Sequence, residues 1–233
     1  MRSAVPVLQL TVARAEHFHD LGVNTPLSLR LLPGECTLIE ASEARQLAAF
    51  ADLCSGLITL HSGNVRFVGR DWSDVPHDYA AALRSRIGRV FAAGGWLPFL
   101  DVETNILLPQ LHHTRRGREE LRREAQGLAR EFGLPGLPLG RVDALAPADL
   151  GRAGLVRAFL GEPLLVLLED PIRGLLAPVA PAVLNRAAIT QDRGGAVVWL
   201  ARSGSARLDP SFAANQRLHL GGEGLVMARR QAA

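Results

Sequence analysis

The chain has 233 residues, of which 48% are hydrophobic and 21% charged, with a net charge of +3. That is enough apolar material for one large domain and too little charge imbalance for a disordered tail or a nucleic-acid surface; no aromatic-rich basic stripe and no zinc-ligand spacing is present. Two cysteines, Cys36 and Cys54, are too few for a disulfide framework, and runs such as Leu164–Leu168 fall far short of the roughly 18 apolar residues of a membrane helix, so a cytoplasmic chain with buried thiols is expected.

Residues 5–13 and 27–32 alternate as strands, and Pro33-Gly34 makes a turn. Residues 36–40 form a short buried strand, followed by a predicted helix over 42–55 that Gly56 stops. Ser62-Gly63-Asn64 reads as a turn, 65–68 as a strand, 79–86 as a helix and 87–92 as another strand. Residues 114–132 are the densest in charge. Leu121, Ala125, Leu128 and Phe132 recur at helical spacing within them, which predicts an amphipathic helix with a solvated charged face. A helix over 148–160 precedes the wholly apolar run 164–168, the pattern of a parallel strand buried on both faces. A helix over 176–190, a strand over 196–200 and a hairpin of 217–220 with 225–228 complete the chain. Strands alternating with helices predict an α/β fold around a parallel sheet.

Several landmarks in this order resemble the ATP-binding subunit of ABC transporters. They are Gly34-Glu35, Ser55-Gly56-Leu57, Ser62-Gly63, Arg89-Val90-Phe91 leading into Leu97–Ile106, Arg152, Arg157–Leu160 with Glu162-Pro163, Leu164–Pro171 and Val197–Leu200. The resemblance covers nearly the whole chain. It implies a nucleotide-binding domain of the phosphate-loop type over 1–233: a parallel core sheet, an antiparallel β subdomain and an inserted helical subdomain over about 93–160. Gly94-Gly95-Trp96-Leu97 and Gly174-Leu175-Leu176-Ala177-Pro178 further resemble the ATPases of MCE-type phospholipid transporters.

Against that resemblance stands the chemistry. A phosphate loop uses backbone N–H groups and a lysine ammonium, and this chain has no lysine: all 26 of its Lys+Arg residues are arginine. The loop register falls on Ala41-Ser42-Glu43-Ala44-Arg45-Gln46-Leu47-Ala48-Ala49. The resemblance places glycines at 41, 44 and 46, the lysine at Leu47, and the hydroxyls, including the magnesium ligand, at Ala48 and Ala49. Alanine and glutamine resist the φ > 0 and close approach that glycine allows, and the Glu43 carboxylate repels an anion. Glu43 or Ser42 is expected to cap the helix instead.

The Asp-Glu pair that holds metal and activates water becomes Glu169-Asp170, transposed, with Asp170 one methylene short as a base. The glutamine of the γ-phosphate sensor aligns with Ala92 or Ala93, and the signature Leu-Ser-Gly-Gly-Gln becomes Leu145-Ala146-Pro147-Ala148-Asp149. The D-loop aspartate becomes Leu176 and the switch histidine Arg202. Phe18 is the candidate adenine-stacking ring, with packing as its other reading; His17 and His19 beside it lack a third metal ligand.

The expectation is therefore a non-catalytic subunit with no cofactor, no metal and no nucleic-acid partner. It pairs with a second ATPase-like chain and docks on a membrane permease at the inner face, through Gly94, Trp96, Leu97 and Phe99. Two alternatives remain open from the sequence: a weakly active ATPase using Arg45, Glu169 and Asp170, and a free-standing scaffold or regulator.

Overall fold

The computed structural model describes residues 4–93, 95–175, 179–203 and 214–228. The chain runs through β1 (Leu8–Arg14), α1 (Glu16–Asp20), β2 (Leu27–Leu31), β3 (Cys36–Ala41), α2 (Ala44–Cys54), β4 (Ser62–Phe67), β5 (Arg70–Asp71), α3 (His77–Arg84) and β6 (Ile87–Val90). It continues with α4 (Val102–His113), α5 (Arg118–Glu131), α6 (Pro147–Phe159), β7 (Leu165–Glu169), α7 (Val179–Asp192), β8 (Ala196–Arg202), β9 (Gln216–Gly221) and β10 (Gly224–Met227).

Strand pattern sorts the sheets. β1 and β2 alternate buried and exposed residues, as half-buried strands do, and join an antiparallel sheet of order β2-β1-β4-β5. Leu8 pairs with Leu31 and Phe67, so one apolar row faces inward. β7 is buried throughout. It lies in a six-stranded sheet of order β10-β9-β3-β8-β7-β6, parallel except for the β9–β10 hairpin. The expected pairing of a parallel core sheet with an antiparallel sheet holds.

The period of two along β7 divides the interior into two cores. Leu165 and Leu167 join Phe50, Phe67 and Leu47 in the core shared by α2 and the antiparallel sheet. Val166 and Leu168 face the other way, toward Ile106, Leu128, Val156 and Val183 of the helices. The helices α4, α5 and α6 pack on one another, and α6 also lies along β6. Gly88 makes that approach possible: a Cβ there would stand 1.8 Å from the Ala158 carbonyl oxygen.

One expectation needs correction. Ser62-Gly63-Asn64 is no turn; it opens β4, opposite an irregularity in β1 where Val12 takes a φ of 49°. Gly63 has a φ of 78°, and a Cβ on it would lie 2.2 Å from the Val12 carbonyl oxygen. The charged stretch forms the expected amphipathic helix, and most of its charged side chains are exposed. Leu121, Ala125, Leu128 and Phe132 are buried as predicted; α5 begins at Arg118, and the partly exposed Arg118 and Arg122 cover the buried Glu103 of α4 at 3.3 and 3.1 Å. Among the described residues no helix is long and apolar enough to cross a membrane.

Candidate functional site

The junction of β3 and α2 comes first. β3 ends at Ala41, only Ser42 and Glu43 follow, and α2 begins at Ala44. A phosphate loop holds four residues between its first glycine and its Gly-Lys pair. Here two of those four positions, and the two that follow, are already helical. None of residues 41–49 has a positive φ. Glu43 occupies the N-cap position with extended backbone (φ −123°), and its N–H donates to Gln46 Oε1 at 3.2 Å. The other end of that side chain, Gln46 Nε2, donates to the Leu21 carbonyl at 3.0 Å. Leu47, where the resemblance places the lysine, is 1% exposed and packs in the core. Arg45 Nε meets Glu43 Oε2 at 2.5 Å, with both side chains half exposed or more. Such a pair is worth about 0–1 kcal/mol and fixes little.

The carboxylates lie at the ends of the parallel strands, where ligands of open α/β sheets gather. Glu169 closes β7 with 2% exposure. Burial pushes its carboxyl above the usual carboxylate range, and the guanidinium of Arg89 works in the opposite direction. Arg89 Nε donates to Glu169 Oε1 at 2.6 Å, Nη1 meets Asp52 Oδ1 at 2.5 Å, and Nη2 donates to the Ala48 carbonyl at 3.3 Å. Asp170 follows with a φ of 42°, a conformation L-residues avoid. Its N–H donates to the Leu200 carbonyl at 2.8 Å, which ties the bend to β8. The Arg202 N–H donates to Asp170 Oδ1 at 3.2 Å, and the Arg202 guanidinium pairs with Oδ2 at 3.3 Å. Thus Glu169, Asp170 and Arg202 do come together, each with an oppositely charged partner. Arg89 and Asp52 complete the group, and sequence reasoning passed them over. The signal for Arg89 was a charged residue in an otherwise apolar strand.

A cleft of about 420 Å³ runs from these carboxylates to the start of α6. Pro147 and Ala148, from the segment Leu145–Asp149 that the resemblance aligns with the signature, line it, with Ala146 as N-cap and Pro147 in the first turn of α6. Asp149 pairs with Arg152 at 3.0 Å instead of facing outward alone. Arg157 crosses the cleft wall. Its guanidinium lies 4.4 Å from the Trp96 ring and 5.3 Å from the Phe91 ring, and it donates to the Gly95 carbonyl. Burial lowers its pKa to about 10, which still leaves it charged at neutral pH. Trp96 is therefore half-buried, Leu97 is exposed, and Phe99 stands 78% exposed. Ala92 and Ala93 are exposed at the cleft's edge. Gly94 and Leu176 lie outside the described residues.

Phe18 is buried in the core beside Leu21 and Val23, so it is a packing residue and not a stacking platform. His17 and His19 are exposed, and among the described residues no group of three potential ligands could hold a metal ion. Cys36 and Cys54 are free and buried; burial pushes the Cys36 thiol up to about 12 and the Cys54 thiol higher still, so both stay protonated and unreactive.

No family profile matches the chain. Individual proteins do. It is 28% identical over 138 residues to the uncharacterized ABC transporter ATP-binding protein YknY of Bacillus subtilis, covering 59% of this chain and 60% of that one. It is 28% identical over 170 residues to the uncharacterized ABC transporter ATP-binding protein YbbA of Escherichia coli, covering 72% and 73%. It is also 28% identical over 174 residues to the macrolide export ATP-binding/permease protein MacB of Sodalis glossinidius. The match spans 73% of this chain but only 26% of MacB. Among solved structures, the dimeric, post-hydrolysis ATP-binding cassette MJ0796 bound to ADP and Pi superposes with a TM-score of 0.76 at 18% identity, covering 95% of this chain and 99% of that one. The fold is that of an ABC-type nucleotide-binding domain. In sequence, the chain is related to ATP-binding subunits of ABC transporters.

Proposed function

We propose that this chain is a non-catalytic ABC transporter subunit. It docks on a membrane permease from the cytoplasmic side and pairs with a second ATPase-like chain. The observation that carries the reading is the Arg89 guanidinium, fixed between Glu169, Asp52 and the Ala48 carbonyl, on the ground between the loop helix and the β7 carboxylates. The residues present do not fit magnesium and a triphosphate. The lysine position is a core leucine, the hydroxyl positions are alanines, and helical turn replaces the loop. Asp170, at the base position, is engaged by Arg202.

Arg45 does not support a weakly active alternative, since its guanidinium rests on Glu43 in an exposed pair. Permease contact through Leu97 and Phe99 is favoured by their exposure beside the cleft, as aromatic anchors suit interfaces. Gly94 and Trp96 belong to the same proposed contact. A phospholipid cargo rests on the resemblance around 94–97 and 174–178 alone, and pairing on the head-to-tail arrangement that the resemblance implies.

Isothermal titration of the purified chain with ATP and Mg²⁺ tests the reading. We expect no binding tighter than about 100 μM, equivalent to roughly −5.5 kcal/mol. A tighter constant overturns it. Affinity purification from membranes should recover a permease together with a second ATPase; recovery of neither removes the transporter role.

A further inference from the structure

Arg89 leaves β6 and reaches oxygens on two other elements. Glu169 Oε1 lies 2.6 Å away at the end of β7, and Asp52 Oδ1 lies 2.5 Å away on α2. The Ala48 carbonyl, one turn earlier on α2, accepts at 3.3 Å. The Phe91 ring covers the guanidinium at 4.3 Å, and the Arg89 side chain is left 10% exposed. A carboxylate as enclosed as Glu169 does not stay ionised without a compensating charge. Two carboxylates and a carbonyl converging from two elements are the oxygen set a hard divalent cation takes. Here a guanidinium fills the point on which they converge.

We infer that Arg89 is a covalently held substitute for a divalent cation. It neutralises Glu169 and clamps β7 to α2, so this junction keeps its geometry with no metal bound. The inference deepens the non-catalytic reading and rests on it: a fixed cation here takes the place of the exchangeable one that hydrolysis would need.

The test is thermal melting of the purified chain, without nucleotide, in the presence and absence of millimolar Mg²⁺ or Ca²⁺. The wild-type melting temperature should not respond to either ion. Arg89→Ala should melt lower by roughly 6–20 °C, as expected for breaking a buried ion pair in a domain of this size, and should recover much of that loss when the divalent ion is added. Arg89→Lys should stay insensitive to the ions, and Arg89→Ala combined with Glu169→Gln should lose the recovery. Three results overturn the inference. They are a wild type that divalent ions stabilise, an Arg89→Ala variant that stays unfolded or destabilised whatever ion is present, and a recovery that survives Glu169→Gln. Because no nucleotide enters the experiment, a failed recovery removes the inference and leaves the ATP titration to decide the function separately.

Discussion

The two ends of α2 obey different demands. At its C-terminal end, Gly56 has a φ of 64°, and a Cβ there would stand 2.4 Å from the Trp72 ring. Arg84 donates to the carbonyls of Ser55 and Gly56 at 2.9 and 2.8 Å, and Trp72 Nε1 to that of Cys54 at 3.2 Å. These are the last carbonyls of the helix and the turn after it, which have no intrahelical partner. At the N-terminal end no left-handed residue survives, and Ala44 and Gln46 stand where the resemblance places glycine. The difference is physical. Position 56 needs glycine for the backbone to turn, with or without a ligand. Positions 44 and 46 need it only to admit phosphate, and without a ligand glycine costs a helix about 0.5–1 kcal/mol per residue.

The largest effect expected is at the site that α2 shares with β7. Arg89→Ala should destabilise the chain by about 3–5 kcal/mol at neutral pH, because it leaves Glu169 buried and unpaired. The dependence on pH should then change in a definite direction. Burial already holds the Glu169 carboxyl above its ordinary 4.5, and Arg89 is the main influence lowering it. Without Arg89 the folded value rises further above the unfolded one. A carboxyl shifted up contributes stability that is fully present below 4.5 and lost as pH rises through the folded value. Denaturant melts of Arg89→Ala should therefore show the smallest deficit against wild type near pH 4–5 and the largest near pH 7. A deficit that is constant with pH would locate the damage in packing instead.

Gly56→Ala comes next, at about 2–4 kcal/mol, from the left-handed backbone and the displaced Trp72 ring. If urea midpoints barely move, the C-terminal end of α2 is more adaptable than its contacts imply. The smallest effect should follow from restoring glycine at the other end. Ala44→Gly with Gln46→Gly should cost about 1–2 kcal/mol and confer no binding of ATP with Mg²⁺. A gain of binding would show that loop shape alone excludes the nucleotide.

Much of the fold was legible because burial repeats along the sequence with the period of each element. The unbroken run before Glu169 marked a fully buried strand of the parallel sheet, and Leu121, Ala125, Leu128 and Phe132 marked the buried face of α5. α4 escaped notice because its buried face carries Glu103, Asn105 and Gln110, and Pro109 lies inside it. Its start was nonetheless written in the chain: Asp101 accepts from the Thr104 N–H at 2.6 Å, an N-cap signal. The bulge that admits Gly63 could not be seen, since it depends on Val12 across the sheet. At the site, the resemblance alone assigned each position its family residue. What each new side chain does was not legible, because Asp52, Arg89 and Glu169 are far apart in the chain and meet only through β6–β7 pairing and the packing of α2.

The stacking of Trp96 beneath Arg157 has a practical consequence. Of the three indoles, Trp199 is sealed inside the parallel sheet, and Trp72 lies between Phe67 and Arg84. Trp96 sits at the mouth of the cleft, within 4.4 Å of a cation. Trp72 and Trp96 are both half-buried and open to acrylamide, but only Trp96 lines this cleft, so a polypeptide seated there should shield it and leave Trp72 unchanged. The chain thus carries a built-in optical gauge of occupancy that needs no dye.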